Sequence, residues 1–346
     1  MYKAFIVSLF VTTSLNSQVL LNADGATDTY NLINSVLAPG YTAVEVPDCG
    51  HEEFGYHITQ VYDDVLDTYV FQFHIHRDED SDRCINYDRQ RTEIKSYAQS
   101  PDNLKAIEGE VVRYMWKFKI DKDFQPSSSF THLHQLKAVG GSEESMPLIT
   151  LTARKSNPDK LELRYAKNMD QITIKEVDLN PFRGIWVEAT ETVLYGESGA
   201  YNLVIKTVVE QDTLLNYSSA ELRTWKTNAE FIRPKWGIYR SLNDYESLRD
   251  EIVCFANFSI EEIEYTSITP PKNNDIEIYP NPTGSGFIIS NITGESITVL
   301  QLNGVICFNK NNVREKELIL NHLGKGVYIV TCRSSGNYCS NKVFIY

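Results

Sequence analysis

The sequence predicts an all-β fold: a two-sheet jelly-roll sandwich followed by a small, separate β-sandwich. Runs that alternate apolar and polar residues recur, as in 69–75 (YVFQFHI), 111–120 (VVRYMWKFKI) and 201–206 (YNLVIK), and a period of two is that of a strand. Turn-forming clusters separate these runs, at 78–82, Gly140-Gly141-Ser142, Asn157-Pro158-Asp159 and 196–199. Helical patterning is confined to two short stretches, 28–37 and 241–249. Strands punctuated by turns from residue 41 to residue 264 imply two packed sheets.

The chain has 346 residues, enough for one large domain and a smaller one. With 42% hydrophobic, 11% aromatic and 23% charged residues, its composition is that of a folded protein. A net charge of −13 argues against a nucleic acid bound by charge alone, though a local basic groove can sit within an acidic chain.

The elements follow in order. Lys3 precedes the apolar run 4–11, and small polar residues continue through Ser14 and Ser17. That layout predicts a signal peptide over 1–17, cleaved near Ser17 or Gln18. The run is too short to span a bilayer and no later segment reaches spanning length, so no membrane span is expected. The mature chain is expected to be exported and monomeric. Export permits disulfides, and Cys49 with Cys84, and Cys332 with Cys339, are the expected pairs among six cysteines.

The large domain is placed at 18–268 and a linker at 269–274, marked by Thr269-Pro270-Pro271-Lys272-Asn273-Asn274. A second β unit occupies 275–346. It opens on Ile278-Tyr279-Pro280-Asn281-Pro282 and carries Gly326-Val327-Tyr328-Ile329-Val330 near its end. The YPNP opening and GxYxV strand resemble the C-terminal sorting domain of the Bacteroidetes type IX secretion system. The resemblance implies type IX secretion machinery as a partner, passage through the outer membrane, and loss of the tail. A small sugar-binding accessory domain is the other reading of this unit.

Within the large domain, three distant segments carry polar residues at strand spacing: 88–95 (DRQRTEIK), 132–137 (HLHQLK) and 235–240 (KWGIYR). Residues two apart share a face. That groups Arg89, Arg91, Glu93 and Lys95, then Gln135 with Lys137, then Lys235 with Gly237 and Tyr239. Cations, an amide and a tyrosine on one surface suit an acidic sugar. Trp236 and Ile238 are expected in the core.

The run Arg91-Thr92-Glu93-Ile94-Lys95 resembles the R-T/S-E-L-R strand of jelly-roll alginate lyases, Gln135-Leu136-Lys137 their Q-I-H strand, and Lys235-Trp236-Gly237-Ile238-Tyr239 their K-x-G-x-Y strand. The fuller text is similar to the jelly-roll ulvan lyases of marine Bacteroidetes. Lys137 stands where alginate lyases have histidine, which weakens alginate as the substrate. The resemblance implies β-elimination: loss of the C5 proton of a uronate and expulsion of the O4 substituent, leaving a 4,5-unsaturated end.

That chemistry needs particular groups. The carboxylate beside C5 must be neutralised so that enolate-like charge can develop, a task for Gln135 and Arg91. A base must reach C5 and an acid O4, for which Tyr239 and Lys137 are the candidates. Neighbouring cations would lower both of their pKa values. Arg89, Glu93, Lys95, His134, Lys235 and Arg240 are expected to bind substrate. Glu93 has a second reading, as a structural partner that orients Arg91.

Other classes stay open at this level. The same jelly roll could bind carbohydrate without cutting it, or cut glucuronan or alginate. His74 with His76, and His132 with His134, form two HxH pairs that could build a cupin-type metal centre. Strict alternation sets His132 and His134 opposite Gln135 and Lys137, so no metal or other cofactor is expected for catalysis, though one of these histidines touches substrate if a bulge breaks the alternation. The acidic run Asp78-Glu79-Asp80-Ser81-Asp82 offers oxygens suited to a structural calcium without the EF-hand spacing. No phosphate loop, GxSxG elbow or HExxH motif occurs.

Overall fold

The computed structural model describes residues 18–263 and, within 277–346, all but 285, 291–295, 302–304, 312, 314–316 and 335–336. The leader at 1–17 and the linker at 269–274 lie outside the described residues. The chain divides into two compact units, Met1–Tyr265 and Thr266–Tyr346.

The first unit is a jelly-roll sandwich of two antiparallel sheets. The eight-stranded sheet contains β1 (Val19–Leu21), β3 (Ile58–Asp63), β4 (Thr68–Ile75), β6 (Val111–Ile120), β11 (Val187–Leu194), β12 (Gly199–Thr207), β13 (Thr213–Leu222) and β15 (Glu251–Ile263). The seven-stranded sheet runs β10 (Gln171–Asp178), β9 (Lys160–Ala166), β8 (Ile149–Arg154), β7 (Thr131–Val139), β14 (Phe231–Ser241), β5 (Arg89–Lys95), β2 (Val44–Glu45). The three polar segments are therefore adjacent strands, with β14 between β5 and β7.

Alternation explains the packing. In β6, Val112, Tyr114, Trp116, Phe118 and Ile120 face the core, while Arg113, Lys117 and Lys119 face out. Trp236, Ile238, Leu133 and Leu136 close the core from the opposite sheet. β5, β7 and β14 differ from β6 in being buried along nearly their whole length, although half their residues are polar. Their second face is covered by its own ion-pair network.

Helix α1 (Thr29–Leu37) begins where expected. The Asp28 carboxylate accepts from the Asn31 N–H at 3.1 Å, and Ile33 and Leu37 turn inward. The helix expected over 241–249 does not form. β14 continues to Ser241 and only a 3₁₀ turn, Tyr245–Ser247, follows. There the Ser247 hydroxyl donates to the Asp244 carbonyl and carboxylate, a local pairing that competes with helix. Cys49 and Cys84 form a disulfide.

The second unit has a three-stranded sheet of β16 (Glu277–Tyr279), β17 (Phe287–Ser290) and β20 (Glu317–Leu320). Its four-stranded sheet contains β18 (Ser296–Gln301), β19 (Ile306–Asn311), β21 (Gly326–Ser334) and β22 (Asn337–Ile345). Phe287, Ile289, Ile297, Val299, Tyr328, Val330 and Val343 form its own core. The backbone register sets Cys332 opposite Cys339, and their side chains lie outside the described residues.

Candidate active site

The outer face of the seven-stranded sheet is built row by row. Tyr239 on β14 lies opposite Arg91 on β5 and opposite His132 on β7. Lys235 lies between Lys95 and Gln135, and Gly237 lies beside Glu93. Gly237 has φ +144°, and a Cβ there would sit 2.1 Å from the Thr92 carbonyl oxygen, so only glycine lets β14 close on β5.

Under the face lies a buried charge network centred on Glu93 and Glu45. Lys235 Nζ is 2.6 Å from a carboxylate oxygen of each. Glu45 also takes Lys95 Nζ at 2.7 Å and Arg83 Nη1 at 2.7 Å. Arg91 pairs with Glu93 and with Asp82, the latter at 2.8 Å. The amide nitrogen of Gln135 donates to Glu93. Burial alone would raise the Glu93 carboxyl pKa, but the charges of Lys235 and Arg91 outweigh it and hold the group ionised.

Above the network, Arg91 Cζ lies over the Tyr239 ring, 3.6 Å from its centroid. Arg89 Nη1 donates to the Tyr239 hydroxyl at 3.0 Å. Lys137 pairs with no carboxylate among the described residues. Burial, then the charges of Lys235 and Arg91, lower its pKa to about 8. A lysine in this state supplies a neutral amine near neutral pH.

Two bulges meet here, one with its extra residue in β7 and one with its extra residue in β14. The β7–β8 register shifts between His132 and His134, and the β14–β7 register shifts between Trp236 and Tyr239. The inserted residue turns His132 onto the same face as Gln135 and Tyr239. Its ring stacks on Phe130 and lies 5.8 Å from the Tyr239 ring, and Nδ1 is 2.8 Å from Thr152 Oγ1. Burial lowers its pKa to about 3, so the imidazole is neutral.

Several expected substrate contacts are relocated. His134 faces the core: its ring packs on Trp116 and Trp236, and Nε2 is 2.8 Å from Glu191 of the opposite sheet. Arg240 is wholly buried on that same inner side, where Nε donates to Gln90 at 2.8 Å and Nη1 to the Arg249 carbonyl at 2.7 Å. Glu93, Lys95 and Lys235 are on the expected face but lie beneath it, committed to ion pairs. Of the six, Arg89 alone stands partly open to solvent at the rim.

Residues outside the sequence expectation complete the face. Glu45 and Asp82 anchor the cations, and nothing near either in the sequence marks them as partners of β5. Arg154 and Arg164 extend the basic surface across β8 and β9, both pairing with Glu162, at 3.0 and 2.8 Å. The bulge that recruits His132 has no signal in local composition beyond the HxH pair itself.

The histidines do not form the cupin-type centre. His74 Nε2 meets Thr59, while His132 and His134 lie on the other sheet, facing different ways. Nor do the acids of the 78–82 run meet at one point. Asp78 pairs with Arg77, Asp80 with histidines and Asp82 with Arg91.

Residues 277–346 match the family described as the secretion system C-terminal sorting domain. No curated protein matches the chain. Among solved structures, an endo-β-1,4-glucuronan lyase from the fungus Trichoderma reesei is similar at TM-score 0.44 and 14% identity, over 60% of this chain and 87% of that one. A PL-14 alginate lyase from Aplysia kurodai is similar at TM-score 0.48 and 13% identity, over 71% of this chain and 100% of that one. A family 7 alginate lyase is similar at TM-score 0.44 and 14% identity, over 63% of this chain and 93% of that one. These are likenesses of fold. Among the described residues, no helix is long and apolar enough to cross a membrane.

Proposed function

We propose that the chain is a secreted, endo-acting polysaccharide lyase that cleaves a uronate-containing polymer by β-elimination. Ulvan, a sulfated algal polysaccharide, is the favoured substrate. The observation that carries this reading is Tyr239, whose hydroxyl is held by Arg89 and whose ring is capped by Arg91, on a face shared with Gln135 and Lys137.

In this reading Gln135 and Arg91 stabilise the negative charge that develops on the uronate carboxylate. Glu93 fixes both of them and touches no sugar. Lys137, with its lowered pKa, takes the C5 proton, and Tyr239 delivers a proton to O4. Arg89, Arg154 and Arg164 hold flanking acidic groups of the polymer. The substrate's sulfates suit guanidinium forks, which is why a sulfated polymer is favoured over a plain one.

A second assignment of the base has one observation in its favour. His132 is the direct cross-strand neighbour of Tyr239, whereas Lys137 lies opposite Arg233, six positions before Tyr239 on β14. An imidazole with so low a pKa is the weaker base, so we assign His132 to holding the substrate and Lys137 to the proton.

The tail supports export by the type IX route, to the cell surface or beyond, after a signal peptide has carried the chain across the inner membrane. The test of function is direct. The protein is incubated with ulvan, glucuronan and alginate, and the ultraviolet absorbance of the unsaturated uronyl end is followed. Rising absorbance with ulvan supports the reading. Binding of ulvan with no absorbance from any polymer would make the domain a carbohydrate-binding module.

A further inference from the structure

A second cluster of reactive side chains lies apart from the catalytic face, where the loop after β2 meets the loop between β4 and β5. His51, His57, His76 and Asp80 each direct one ligand atom to a common point, all within 4.8 Å of one another. Asp80 is at the centre. His57 Nε2 lies 3.0 Å and His51 Nδ1 3.1 Å from its Oδ1, and His76 Nδ1 lies 3.2 Å from its Oδ2. Four ligands at zinc bond lengths of about 2.0–2.2 Å would stand roughly 3.3 Å apart in a tetrahedron. The three separations from Asp80 approach that spacing, and the others stay within 4.8 Å.

The surroundings orient these atoms. His57 Nδ1 lies 2.7 Å from the Asp48 carboxylate, so with its N–H donated there Nε2 is the nitrogen that a metal would take. Asp48 is held in turn by the Tyr30 hydroxyl at 2.9 Å. A carboxylate behind a histidine is the usual outer support of a metal-bound imidazole. Asp80 Oδ2 also accepts the His76 backbone N–H at 2.6 Å, and the Asp80 carbonyl accepts from Gln90 at 3.0 Å. His57 and Asp80 are fully buried, while His51 and His76 are partly open, which leaves an entry path.

We propose that His51, His57, His76 and Asp80 form a structural site for a divalent transition metal of the zinc class. Three imidazoles and one carboxylate suit zinc and not the all-oxygen preference of calcium or magnesium. Four protein ligands close the site, so its work is structural. It joins the same two loops that the Cys49–Cys84 disulfide joins, and one of them carries Asp82, which holds Arg91. The site is independent of the substrate assignment.

The experiment uses the full chain purified without a polyhistidine tag. Metal content is measured by mass spectrometry, then chelated and dialysed protein is titrated with zinc, calcium and magnesium while thermal unfolding is followed. The expected result is one zinc per chain, a melting temperature that falls by several degrees on chelation, and its return with zinc alone. His57→Ala removes a buried ring and is open to failure in folding, so His51→Ala, on a partly open loop residue, is measured beside it. A folded His51→Ala protein that has lost stoichiometric zinc supports the site. Wild-type protein that takes up no stoichiometric zinc and shows no thermal shift, or a folded His51→Ala protein with zinc affinity unchanged, overturns it.

Discussion

The Arg91 guanidinium carbon lies over the Tyr239 ring, 3.6 Å from its centroid, while its nitrogens reach Asp82 and Glu93. The tyrosine is thereby fixed through an arginine that is itself fixed by two buried acids. Precision at the face depends on the network below it.

Glu93 is the member of that network most sensitive to change. Glu93→Gln removes the charge facing Arg91 and Lys235 and leaves both cations buried with reduced compensation. Removing one partner of a buried pair costs about 3–5 kcal/mol. Denaturant unfolding should show a loss on that scale, with turnover falling as well. A change below about 1 kcal/mol would mean that the network contributes little to the fold.

Lys137 predicts a pH profile. If its neutral amine takes the C5 proton, kcat/KM should rise about tenfold per pH unit at low pH and bend near pH 8. The stability sign follows from the same shift. The folded-state pKa lies below the free value of 10.5, so the unfolded chain binds more protons between about 8 and 10.5 and stability rises with pH across that window. Lys137→Met should abolish the rate trend and reduce the stability trend, to which Lys95 and Lys226, also lowered to about 8 by burial, contribute the rest. An unchanged rate profile in that variant would transfer the proton to another group.

His132 and His134 separate surface from core. His132→Ala should weaken substrate use and leave the fold intact. His134→Ala should chiefly lower stability, by stripping Glu191 of one of its two buried partners, the other being Tyr201 at 2.6 Å. Measuring kcat, KM and melting temperature for both variants decides it. Equal loss of turnover per folded molecule would contradict the division.

That division also shows what could be read in the sequence. The faces of β5 and β14 followed from alternation alone, because neither strand breaks register with the other from Lys235 to Ser241. The Cys49–Cys84 pair and the position of Trp236 in the core were legible too. On β7 the rule failed at one inserted residue, which brings the first HxH histidine, His132, to the outer face and leaves the second, His134, on the inner one. Whether a cation on the expected face meets solvent was not legible either. Lys95 and Lys235 are covered because Glu45, on the short strand β2 beside β5, accepts both of their ammonium groups, and no motif around Glu45 announces it.

The tail should be dispensable for chemistry. Each unit has its own apolar core, so deleting the chain from Asn274 onward should leave a folded, active enzyme that is no longer exported through the outer membrane. Circular dichroism, turnover and cell fractionation of the truncated protein test this. Loss of fold or of activity would make the tail part of the catalytic unit.

The most direct test of the central claim is the turnover of Tyr239→Phe on ulvan, read as unsaturated uronyl absorbance. The substitution removes one hydroxyl and keeps the ring against Arg91, so the melting temperature should hold. Turnover should fall by about 10²–10⁴-fold, the range of a lost acid–base group, with substrate binding changed far less. A folded Tyr239→Phe protein that turns over at a near-normal rate would contradict the proposed chemistry.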